Sequence, residues 1–91
     1  MSVLNNTKKT AVSDWHRADI IAALKKQGWT LRALAKETQL SYSTIRTALD
    51  RPYPKVERLI ADAIGVPAEL IWAGRFAERN YRSTLTHNFK S

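Results

Sequence analysis

The glycines and prolines constrain this chain most. Gly28, Pro52, Pro54, Gly65, Pro67 and Gly74 cut its middle into short segments, and each segment carries helical rather than strand spacing. Ser13 is a suitable N-cap for a first helix running to about Gln27, with Asp14 favourable at the positive end of its dipole. Gly28 then supplies a left-handed stop. Ile20, Ile21 and Leu24 share one face, whereas Trp15 falls off it and covers either the helix start or the C-terminal segment. Thr30 can cap a second helix, Leu31 to Thr38, and Ser41 a third, ending near Leu49. The stretch Asp50-Arg51-Pro52-Tyr53-Pro54 must break the helix, because proline cannot donate into the ladder and pushes its predecessor out of the helical region. Pro54 can open a fourth helix as its first residue, with Val56, Leu59, Ile60, Ala63 and Ile64 at 3.6-residue spacing up to Gly65. A short fifth helix follows Pro67 and holds Leu70, Ile71 and Trp72.

Strand signals are weak throughout, so the expected class is all-α, with five helices in one domain over residues 13–74. Residues 1–12, polar from Asn5 to Thr10, read as a flexible arm. Residues 75–91 carry Arg75, Arg79, Arg82 and Lys90 against Glu78 and read as a basic polar tail or a frayed helix.

The 91 residues include 15 Lys and Arg against 8 Asp and Glu, a formal charge of +7. Such an excess attracts phosphate backbones and anionic membranes alike, so the arrangement of the helices must decide between them. The hydrophobic fraction of 44% supports one modest core and is too high for a wholly disordered chain. Without cysteine there is no disulfide and no thiolate metal site, which fits a reducing compartment. No run approaches the roughly 20 apolar residues of a membrane span. The first residues lack the apolar stretch of a signal peptide. The expectation is a cytoplasmic protein without a membrane partner.

Residues 31–50, LRALAKETQLSYSTIRTALD, carry the functional signal. Two short helices meet across Thr38-Gln39-Leu40, the spacing of a helix-turn-helix. The first helix needs a small residue where the second crosses it, and Ala35 stands there. Leu31, Leu34, Leu40, Ile45, Ala48 and Leu49 can pin both helices to the body. Ser41, Tyr42, Ser43, Thr44, Arg46 and Thr47 remain for the outer face, all able to hydrogen-bond and none a carboxylate that would repel phosphate. Gln39 departs from the pattern, since the turn commonly carries glycine to reach positive φ. A side chain there costs about 1 kcal/mol. The competing interpretation is an ordinary helical hairpin with a solvated polar face.

The strings SDWHRADIIAALKK (13–26), residues 31–65 and PAELIWAGRF (67–76) resemble the Ner repressors of Mu-like bacteriophages and the bacterial Ner-like (Nlp) regulators. The most specific pieces are Asp14 to Asp19, the connector Arg51-Pro52-Tyr53-Pro54-Lys55, and Val66-Pro67 through Ile71-Trp72. Tyr53 and Val56 stand where that family often has Trp and Gly, outside the third helix. The resemblance implies a five-helix fold of the phage-repressor type with helices two and three as the DNA-binding unit, and a role in repressing or otherwise regulating transcription.

On this basis Tyr42, Ser43, Thr44 and Arg46 are the expected readers of base edges, with Thr47 further along. Hydroxyls can donate or accept, and an arginine can take guanine bidentately for about 1–3 kcal/mol of discrimination. Thr30 and Arg32 start the second helix, where backbone N–H groups favour phosphate, and Ser41, Arg51 and Lys55 are further phosphate candidates. Lys36 reads better as part of a solvated face. Trp15, Trp29 and Trp72 could stack on single strands but suit core or rim packing better. His16 and His87 lie far apart without cysteine partners, so no metal and no cofactor is expected. Acid pairs such as Asp14 with Asp19, or Glu57 with Asp62, lack a nucleophile and more readily balance basic neighbours, so the chain does not read as an enzyme. The expected partner is double-stranded DNA in the bacterial nucleoid or a phage-infected cell. A dimer or paired monomers on DNA, an architectural DNA-binding role and a protein-interaction role all stay open.

Overall fold

The computed structural model describes residues 13–90, with side chains as far as Tyr81. The arm over residues 1–12 lies outside the described residues. The order is α1 (Arg17–Lys26), α2 (Leu31–Thr38), α3 (Tyr42–Asp50), α4 (Pro54–Ile64), α5 (Ala68–Ile71) and α6 (Ala73–Lys90). Among the described residues there is no strand.

α1 is capped three residues later than its Ser13 signal suggests. His16 is the cap, its Nδ1 accepting from the Ala18 N–H at 3.0 Å. Asp14 and Trp15 are drawn elsewhere by tertiary contacts. The Trp15 N–H donates to the Ile71 carbonyl at 2.8 Å. Asp14 Oδ1 accepts from the N–H groups of Gly74 and Arg75, at 2.8 and 3.2 Å. The Asp14 carboxylate therefore serves the positive end of α6, not that of α1.

The other boundaries follow local chemistry. α1 ends in a Schellman closure: Gly28 takes φ +85°, its N–H reaches Lys25 O, and the Trp29 N–H reaches Leu24 O. Thr30 and Ser41 cap α2 and α3 by accepting from the N–H groups three residues on. Pro54 occupies the first turn of α4, and Gly65 ends it at φ +87°.

The core draws on five helices, with Ile20 and Leu24 of α1, Leu34 of α2, Ile45 of α3, Ile60 of α4 and Ile71 of α5 all at most 2% exposed. Trp72, between α5 and α6, is 1% exposed, which removes it as a stacking platform. Trp15 and Trp29 pack partly buried against this core.

The stretch from residue 75 has a different place from the one its composition suggests. It belongs to a sixth helix whose first turns are part of the body. Phe76 packs on the core. Arg75 and Arg79 converge on Glu57 of α4, which is fully buried. Polar composition alone signals a tail. The missing information was the buried partner that makes two arginines structural.

Candidate nucleic-acid interface

α2 and α3 form the helix-turn-helix. Gln39 adopts the left-handed conformation at φ 62°, ψ 29°, so the turn has the geometry usually given to glycine. It is closed by hydrogen bonds from Gln39 N–H to Lys36 O at 3.2 Å and from Leu40 N–H to Ala35 O at 3.0 Å. Thr38 folds its hydroxyl back onto the Leu34 carbonyl at 2.8 Å. Ala35 is buried, as the small position requires where α3 packs on α2.

α3 divides cleanly. Ile45, Ala48 and Leu49 are buried, whereas Ser43, Arg46 and Thr47 are exposed. Three residues four and three apart anchor one side, and the alternating positions are left for a partner. Ser41 is exposed and committed to capping, its Oγ accepting from the Thr44 N–H at 3.0 Å. Its hydroxyl also pairs with that of Thr44, which is half-buried, at 2.8 Å. Thr47 donates its hydroxyl proton to Ser43 O at 2.8 Å, so toward a base it is best placed to accept.

Tyr42 is half-buried, its ring against the core. Two guanidiniums lie near the ring face, Arg32 at 4.2 Å from the centroid and Arg46 at 5.7 Å. The first residue of α3 thus links an arginine from the start of α2 with one from the middle of α3. Thr30, Arg32, Arg51 and Lys55 are exposed. Thr30 accepts from the Ala33 N–H at 3.0 Å, which leaves it both a cap and a neighbour of the α2 N-terminus.

Two acids beside this surface are paired. Asp50, at the end of α3, pairs with Arg17 of α1. Glu57 sits behind α3 and accepts from Tyr53 N–H at 2.7 Å, from Arg75 at 3.0 Å and from Arg79 at 2.9 Å through each carboxylate oxygen. Burial alone would raise the Glu57 pKa, but the Tyr53 N–H and the two arginines outweigh it and hold the carboxyl below its ordinary value. Sequence reasoning took Glu57 as an acid balancing basic neighbours, without naming them or placing it in the core. Its one local signal is its place four residues after the α4 N-cap, from which a carboxylate can reach back to the cap N–H.

Comparison with known proteins agrees with this geometry. The family model described as winged helix-turn-helix DNA-binding matches residues 14–88. The wing in that description has no strand to form it among the described residues. The chain is 68% identical over 89 residues to the Mu-like prophage FluMu DNA-binding protein Ner of Haemophilus influenzae, covering 98% of this chain and 100% of that protein. It is 45% identical over 73 residues to the negative regulator of transcription of Escherichia phage D108, covering 80% of this chain and all of that protein. It is similar to sugar fermentation stimulation protein B of Escherichia coli K12, with 45% identity over 76 residues, 84% of this chain and 77% of the other. Among solved structures, the solution structure of the Mu Ner protein superposes with a TM-score of 0.61 at 45% identity, covering 68% of this chain and 84% of that one.

Proposed function

The chain belongs to the Ner-like family of helix-turn-helix DNA-binding proteins, and from that premise we propose that it is a sequence-specific transcriptional regulator, in the first instance a repressor, reading the major groove with α3. The observation that carries this is the division of α3 between a buried aliphatic side and an exposed side bearing Ser43, Arg46 and Thr47. Two relatives bear the name negative regulator of transcription, which supports repression.

The parts divide by chemistry. Tyr42, Ser43, Thr44, Arg46 and Thr47 face the base edges, Arg46 as the bidentate reader of guanine. Thr30, Arg32, Ser41, Arg51 and Lys55 hold the phosphates on either side and fix the register of the helix. The unit that does this is residues 13–74 together with the root of α6, since Arg75 and Arg79 close the core behind α3. Two copies occupy half-sites about one helical turn apart, each inserting one α3. The protein acts where bacterial or phage DNA is transcribed, in the cytoplasm. No helix among the described residues is long and apolar enough to cross a membrane.

The test is selection of duplexes from a randomised pool by the full chain. A single enriched sequence, bound far more tightly than a shuffled duplex of equal composition, supports the proposal. Equal binding to both identifies an architectural DNA binder. Failure to bind any duplex at low salt identifies a protein-interaction module.

A further inference from the structure

α3 carries no basic residue in its last turn, and its C-cap is the exposed Arg51, so no cation from within the helix reaches its last carbonyls. α6 supplies one. Arg75 Nη1 donates to Ala48 O at 2.7 Å and Nη2 to Leu49 O at 3.3 Å. The same guanidinium reaches Glu57 Oε2 at 3.0 Å through Nη1, lies 3.5 Å from Asp14 Oδ2 through Nε, and sits over Trp72 at 5.3 Å. Its side chain is only 9% exposed. One planar group therefore joins the residue that caps α6, the buried acid of α4 and the last turn of α3.

We propose that Arg75 is a positioning residue for sequence reading, fixing the C-terminal half of α3 so that Arg46 and Thr47 meet base edges in register. The inference rests on the reading of α3 given above and extends it to a residue that cannot touch DNA bases through the body of the protein. The N-terminal end of α3 is already held by the Ser41 cap and by buried Ile45. The Arg75 clamp holds the other end, one residue beyond Thr47. Base contacts need hydrogen-bond geometry within a few tenths of an ångström, whereas phosphate contacts from long side chains tolerate a small tilt. Loosening the clamp thus acts on discrimination rather than on affinity for DNA in general.

Lysine keeps the charge at position 75 but not the fork, and it cannot serve two carbonyls and two carboxylates in one plane. The test compares wild type, Arg75→Lys and Arg79→Lys, all as full chains. Arg79 shares Glu57 with Arg75 but makes no contact with α3 among its hydrogen bonds in the structure, so it reports the stability of the network alone. The probes are a duplex selected by the wild type from a randomised pool and a shuffled duplex of the same composition. Both are titrated well below each variant's melting temperature. Arg75→Lys is expected to lose about five- to tenfold in preference for the selected duplex, a fraction of one bidentate base contact. Its affinity for the shuffled duplex and its salt slope stay within twofold of wild type, and Arg79→Lys keeps the full preference. An unchanged preference in Arg75→Lys overturns the proposal, and so does an equal loss in both variants that tracks melting temperature. A wild type without preference removes the reading of α3 itself, and this inference with it.

Discussion

The Arg32 guanidinium lies 4.2 Å from the centroid of the Tyr42 ring, a cation–π contact between the first turn of α2 and the first residue of α3. Arg46 approaches the same ring at 5.7 Å. Tyr42 thereby orders two of the cations that the proposal sets against DNA, and on that reading its ring matters more than its hydroxyl. Tyr42→Phe is expected to bind the selected duplex within about twofold of wild type. Tyr42→Ala should weaken binding about two- to fivefold, the scale of an exposed cation–π contact. Fluorescence anisotropy checks both. A large loss in Tyr42→Phe would show instead that the hydroxyl makes a direct contact.

Lys55, exposed in the first turn of α4, is assigned to phosphate. Lys55→Ala should weaken binding to selected and shuffled duplex in the same proportion. The slope of log K against log salt should flatten by roughly one unit, as loss of one phosphate contact requires. A titration at four or five salt concentrations reads this. A change in preference without a change in slope would move Lys55 to the base-reading set.

Glu57 is fully buried and pairs with both Arg75 and Arg79 while accepting from the Tyr53 N–H at the start of α4. Removing it takes the shared acid from two guanidiniums, of which Arg75 keeps Asp14 and two carbonyls and Arg79 is about a third exposed. Glu57→Ala should therefore cost somewhat less in urea denaturation than the roughly 3–5 kcal/mol of a fully uncompensated buried charge. Its pH dependence has a definite sign. The folded-state pKa is held below the ordinary 4.5, so the stabilisation is complete above about pH 4.5 and disappears as pH falls through the lower folded value. Wild-type stability should therefore drop on acidification in that window, and Glu57→Ala should show a shallower drop.

Gln39 holds φ at 62° in the turn of the helix-turn-helix. Gln39→Gly relieves the left-handed strain and should raise stability by at most about 0.6 kcal/mol, after subtracting from about 1 kcal/mol of strain the greater freedom of glycine in the unfolded chain. A rise in thermal midpoint with unchanged DNA preference is the expected result.

Much of this was legible in the sequence, for local reasons. Thr30, Ser41, Pro54, Gly28 and Gly65 act within one turn of where they stand, and each punctuates the structure as its chemistry dictates. The helix-turn-helix could be read because its small, apolar and polar positions all fall within residues 31–50. The start of α1 could not, because Asp14 is claimed by an α6 turn 60 residues away in the chain. For the same reason the root of α6 looked like a tail. Arg75 acquires meaning only beside Ala48, Leu49 and Glu57, which three-dimensional packing brings together. Thr44 and Thr47 were read as readers of base edges, and the structure adds that one pairs with Ser41 and the other bonds backwards to Ser43.

Guanine methylation protection on the selected duplex tests base reading by α3 most directly, because it reports occupancy of N7 in the major groove one base at a time. Wild type should shield at least one guanine, and Arg46→Ala should expose that guanine while the remaining protections persist. A protection pattern identical in wild type and Arg46→Ala would contradict the account.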